Sequence, residues 1–158
     1  MNIISGLLML LYGAFHSFLD RPKMAKNSLQ LNKQRPRDFE IQCAYWLKMQ
    51  GYKAKRVRFG TPHVAFCGRR DHFVSDDYRR YILVMDAGNH EIGLGRCKRA
   101  KAGATVKNIE DFVSALNKYN YSRGWYFSLH GYSNKVYEYV DNLKKPQIIL
   151  LTGENVLS

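Results

Sequence analysis

The chain has little cysteine: Cys43, Cys67 and Cys97 among 158 residues, with no CxxC spacing. That excludes a disulfide framework and favours a reducing compartment. Metal-ligating residues are equally sparse. The nearest approach to a zinc pattern is His63, Cys67 and His72, whose spacing matches no common site and which lacks a fourth ligand; loop histidines and a buried thiol are the plainer reading. Proline is scarce too, at four residues, and no internal repeat or low-complexity segment is present. Acidic residues are in deficit, 13 Asp and Glu against 25 Lys and Arg, which leaves a formal net charge of +12.

The excess of positive charge is unevenly placed, with twelve Lys/Arg and five Asp/Glu between Lys53 and Lys101. Such a concentration fits a polyanionic partner, either nucleic acid or an anionic membrane surface. The plainer reading is a charged subunit docked on an RNA- or lipid-rich assembly with no sequence recognition. With 46% hydrophobic and 13% aromatic residues, the chain is long enough for one folded domain plus a short appendage.

Residues 3–19 contain no charged side chain and are followed by Arg21, Lys23 and Lys26. Their length approaches the ~20 residues that cross a hydrocarbon core. The basic flank sets the C-terminal domain on the cytoplasmic or matrix-like side. A cleaved signal peptide fits poorly, because no basic residue precedes the run. A stripe of Ser5, Gly6, Gly13, His16, Ser17 and Asp20 offers the alternative of a helix docked on a partner helix. The expected organisation is a hydrophobic helix over 1–20, a polar linker over 21–35 and a domain over 36–158, membrane-associated and facing a reducing compartment.

Within the domain, Pro36 suits a first helical turn, and the helix that it opens puts Phe39, Cys43, Trp46 and Leu47 on one face. Tyr52–Phe59 reads as a basic strand, and 60–77 as a long loop ending in Asp76 and Asp77. Tyr81–Met85 and Glu91–Lys98 read as a β-hairpin turning at Ala87–His90. Further helices lie over 107–119, with Ile109, Phe112, Val113 and Leu116 inward, and over 133–142, capped by Ser133. Aromatic and aliphatic strands occupy 124–129 and 147–151. Buried strands alternating with helices predict an α/β fold, a mixed sheet covered on both faces.

Several short motifs stand in a telling order: Asp38-Phe39-Glu40 with Leu47 and Gly51-Tyr52; Arg96-Cys97-Lys98-Arg99; Gly124-Trp125-Tyr126-Phe127-Ser128 with Tyr132-Ser133; and Ile148–Leu151 with Gly153-Glu154. Their order and spacing resemble the Mrr-type restriction endonuclease-like domain of the PD-(D/E)xK nuclease superfamily, over roughly residues 36–157. The resemblance implies a divalent metal held by an Asp on the first hairpin strand and a Glu or Gln on the second. A Lys two residues later then positions or activates water. Lys98 takes that lysine's place, and the acids that could serve an active Mg²⁺ site are Asp77 and, from the first helix, Glu40.

At the Glu/Gln position stands Arg96, a fixed cation that repels a metal. A turn centred between Gly88 and Asn89 sets Arg96 opposite Tyr81 and Lys98 opposite Arg79, neither an acid. The expectation is therefore a catalytically degenerate nuclease-like domain, not an enzyme, holding no metal or other cofactor. It would serve as a nucleic-acid-associated or structural subunit of a larger, membrane-associated assembly. Arg96, Lys98 and Arg99 would contact the phosphates of DNA or RNA, with Lys53, Lys55, Arg56 and Arg58 of the basic strand. Two alternatives stand beside it: an active Mg²⁺-dependent endonuclease, and a membrane-tethered scaffold whose charge meets anionic lipid.

Overall fold

The computed structural model describes residues 23–58 and 80–157. The hydrophobic stretch 3–19, the trio His63, Cys67 and His72, and Asp76, Asp77 and Arg79 lie outside the described residues. Among those described, no helix is long and apolar enough to cross a membrane.

Helices α1 (Ser28–Lys33) and α2 (Pro36–Met49) precede strand β1 (Lys53–Arg58), the hairpin β2 (Arg80–Met85) and β3 (Glu91–Lys98), helix α3 (Val106–Lys118), strand β4 (Arg123–Ser128), helix α4 (Asn134–Asp141), strand β5 (Gln147–Thr152) and a terminal turn of helix α5 (Gly153–Leu157). The five strands lie side by side in chain order. The first three are antiparallel, and β4 and β5 then join parallel to β3. The mixed sheet expected from the sequence is therefore present.

Alternation along each strand sorts the core into two layers. Ile82, Val84, Trp125 and Phe127 face one way and pack with Phe39, Cys43 and Leu47 of α2, Leu31 of α1 and Val156 of α5. Tyr81, Leu94 and Tyr126 face the other way and pack with Ile109, Phe112, Val113 and Leu116 of α3 and Val136 of α4. The four α3 positions buried are those that helical periodicity selects. Burying each such Leu, Ile or Phe stabilises the fold by about 1.5–3 kcal/mol. Gly124 lets α3 lie close to β4, since a Cβ there would come within 2.6 Å of Phe112 and Leu116 side-chain atoms.

Two local expectations need correction. The segment 21–35 is not a bare linker where it is described. Asn27 caps α1 by accepting from the Gln30 N–H at 2.9 Å, and Leu31 is buried in the α2-side core. Gln42 of α2 accepts from the Ala25 N–H at 2.8 Å and donates to the Ala25 carbonyl at 3.0 Å, so a side-chain amide binds this segment as a neighbouring strand would. Ser133 stands at the start of α4 but makes no side-chain cap; the capping box forms at α3 instead, between Thr105 and Asn108.

Candidate nucleic-acid interface

Chain direction gathers one end of the sheet. Arg58 and Arg80 are paired across β1 and β2, β3 finishes beside them at Lys98, and Ser128 and Thr152 end the parallel strands in register with it. The opposite end is the hairpin turn, where Asn89 takes a positive φ of 67°.

The hairpin register runs Ile82↔Gly95, Leu83↔Leu94 and Val84↔Gly93, with an irregularity before Met85↔Glu91. Continued by one residue, it sets Arg96 across from Tyr81. The Arg96 guanidinium carbon lies 5.7 Å from the centre of the Tyr81 ring, which in turn stacks on Phe112 at 6.3 Å. Arg96 therefore turns toward the α3 face, held by a cation–π contact. Its Nη1 is buried with no hydrogen-bond partner. A buried donor left unmade costs about 1–3 kcal/mol, so the fold tolerates arginine here at some expense in stability.

Lys98, two residues on, projects to the same face. Its ammonium donates to the side-chain carbonyl of Asn108 in the first turn of α3. Cys97, between them, turns the other way and packs against the α2-side core. There it lies beside Cys43, whose thiol is pushed well above its ordinary value by burial and by the Cys97 side chain. Arg99 lies just past the strand's end and donates from Nη2 to the Asn32 carbonyl of α1 at 3.1 Å; its Nε is buried without a partner.

The remaining sequence-predicted residues divide. Glu40 sits on α2, on the opposite face of the sheet from Lys98, where its carboxylate meets Arg56 at 3.4 Å. The structure thus does not bring Glu40 and Lys98 together, because strand alternation sends Arg56 and Lys98 to different faces. Lys55, exposed on β1, pairs with Leu83. Lys53 belongs to the other end of the sheet: its ammonium donates to the Ala87 carbonyl at 3.0 Å and to the Asn89 side chain at 2.6 Å. Asp77 is outside the described residues. Sequence reading missed Asn108, although the Thr105-x-x-Asn108 spacing was the signal for it.

The described residues at the hairpin do not fit a divalent metal. The position from which a Glu or Gln would coordinate presents a guanidinium, the residue opposite is a phenol, and the lysine is engaged by an amide oxygen. Among the described residues no group of three His, Cys, Asp or Glu side chains is placed to hold a metal ion.

A mixed sheet with an antiparallel hairpin, parallel strands beyond it, a leading helix on one face and a crossover helix on the other defines a restriction-endonuclease-like α/β domain. A family model confirms the class: the Mrr catalytic domain, described as restriction endonuclease, matches residues 31–158, and the chain belongs to that family. The match begins inside α1, ahead of the domain start expected at Pro36. No curated protein and no solved structure matches the chain.

Proposed function

We propose that this member of the restriction endonuclease family binds nucleic acid through its phosphate backbone and does not cleave it. The observation that carries the reading is Arg96, which stands over Tyr81 at the metal-ligand position, two residues before a lysine already bound to the α3 cap. A guanidinium keeps its charge at any accessible pH. It opposes a divalent ion and favours a phosphate oxygen, which accepts charge-assisted hydrogen bonds. Lys98 and Arg99 continue the positive charge along the same end of the sheet. Contacts of this kind fix position on the strand without reading its sequence. Residues 3–19 then serve as the attachment of the domain to a membrane or to a partner helix within a larger assembly.

The test is salt-dependent binding of the full chain, held in mild detergent, to duplex DNA and to RNA. Each neutralised duplex phosphate contributes ~0.9 to the slope of log K against log salt. Lys98→Ala with Arg99→Ala should therefore lower the slope by about 1.8 and weaken binding alike on unrelated sequences. Affinity unchanged in that double variant would assign the domain a purely structural place.

A further inference from the structure

Helix α2 carries a second apolar row besides Phe39, Cys43 and Leu47, which it buries against the sheet. Ile41, Tyr45 and Met49 recur every four residues, a spacing that aligns them along one side of the helix. Tyr45 and Met49 are 53% and 67% exposed. With Ile41 they line an open groove of about 600 Å³, whose other walls are Met24 and Ala25 before α1 and Val156 and Leu157 of α5. Met24 is exposed as well, at 39%. Apolar side chains scattered singly over a surface are ordinary, whereas a cluster at one concave place marks an interaction surface.

The chain itself runs along this groove. Gln42, part of the same lining, holds the Ala25 backbone by its N–H and its carbonyl, which fixes the Met24–Ala25 wall. Everything before Lys23 lies outside the described residues. It includes the uncharged run 3–19, separated from Met24 by only the four residues 20–23. Four extended residues span at most ~14 Å, so the end of the run stays close to a groove that Met24 lines. The other undescribed stretch, 59–79, carries six charged side chains and suits an apolar seat less well.

We propose that the groove between α2, α5 and Met24–Ala25 is the seat of the chain's own residues 3–19 whenever that run is not inserted in a membrane or paired with another protein. Docking removes two apolar surfaces from water at once. Because the run is tethered beside the groove, its effective concentration there is on the order of millimolar, and a weak intrinsic affinity suffices to fill the seat. The assignment is independent of nucleic-acid binding at the basic end of the sheet.

The test is photo-crosslinking of the full chain, synthesised without membranes or detergent and carrying benzoylphenylalanine in place of Met49. Mass spectrometry should find an adduct within one chain, from position 49 to residues 3–19. Charge placed in the run by Leu7→Glu/Leu11→Glu, or in the groove by Tyr45→Glu, should abolish that adduct, whereas Tyr45→Phe should keep it. Tyr45 is exposed, so these substitutions leave the core intact, and circular dichroism checks that they do. An adduct joining two chains would assign the groove to a second copy, and one to residues 59–79 would assign it to that segment. A groove that yields no adduct would be open to solvent. Any of these three results overturns the proposal, as does an adduct to residues 3–19 that survives both glutamate variants.

Discussion

The two ends of the sheet handle charge in opposite ways. At the hairpin end charged groups are matched locally. Lys53 reaches the Ala87 carbonyl and Asn89, Asp86 accepts from the His90 N–H at 2.9 Å and pairs with its ring at 3.0 Å, and Glu91 accepts from the Tyr121 phenol at 2.5 Å. That phenol is pushed up to about 12 by burial first and by Glu91 second. At the other end Arg37, Arg56, Arg80, Arg96, Lys98 and Arg99 accumulate over the two faces, with Glu40 paired to Arg56. Both ends make contacts within the chain, but at the hairpin end the acid of the turn, Asp86, meets the His90 ring, whereas at the other end Lys98 and Arg99 are held by neutral oxygens of Asn108 and Asn32. On the function proposed above, the difference separates a structural terminus from a binding terminus on one sheet, and no single-residue motif would have revealed it.

The largest stability effect should come from removing the polar prop of the basic end. Tyr132, just beyond β4, lies with its hydroxyl 2.8 Å from the Leu151 carbonyl and accepts from the Leu151 N–H at 3.2 Å. Burial pushes this phenol far above its ordinary value, so it stays protonated and able to donate. Tyr132→Phe should cost about 2 kcal/mol, because buried partners are left unsatisfied; denaturant titration measures it. Stability unchanged there would mean that the basic end is held by packing alone.

A smaller effect is expected from Lys53→Ala at the turn. It should cost no more than about 1 kcal/mol and leave the salt slope for DNA as in wild type, in contrast to Lys98→Ala/Arg99→Ala. A reduced slope on Lys53→Ala would erase the distinction between the two ends and restore the basic strand as one continuous phosphate contact.

The smallest effect concerns acid. The Asp86 carboxyl is held below its ordinary value, first by the His90 backbone N–H and then by the His90 ring. A carboxyl depressed in the folded state contributes stability that is present above its unfolded pKa and lost as pH falls through the lowered, folded value. Asp86→Asn should flatten the acid limb of the stability profile in that window and leave neutral pH almost unchanged. An acid limb identical to wild type would show that this turn bond forms no part of the pH response.

Much of this was legible in the sequence wherever one physical signal dominated. The 3.6-residue period fixed the inward face of α3, and the apolar run with a Gly-Asn turn fixed the hairpin and its register, hence Arg96 opposite Tyr81. What was not legible depended on partners distant in sequence. Helix α1 offers one buried residue, Leu31, too few for a periodic signal; its legible trace was Asn27-x-x-Gln30, a capping pattern. The Arg99 contact with the Asn32 carbonyl was invisible because the two residues are 67 positions apart in the chain and come together only through the packing of α1 beside the end of β3. Glu40 was matched to Lys98 by family pattern, whereas strand alternation assigns it to the other face with Arg56.

The central claim is that this end of the sheet binds phosphate without cutting the chain, and the most direct test is metal-dependent cleavage. Full-length protein incubated with Mg²⁺ or Mn²⁺ should leave plasmid DNA and RNA intact at concentrations where it binds them, and Arg96→Gln alone should not restore activity, since Tyr81 still stands opposite. Metal-dependent cleavage by the wild-type chain, abolished by Lys98→Ala or Asp77→Asn, would contradict the account and establish an active endonuclease.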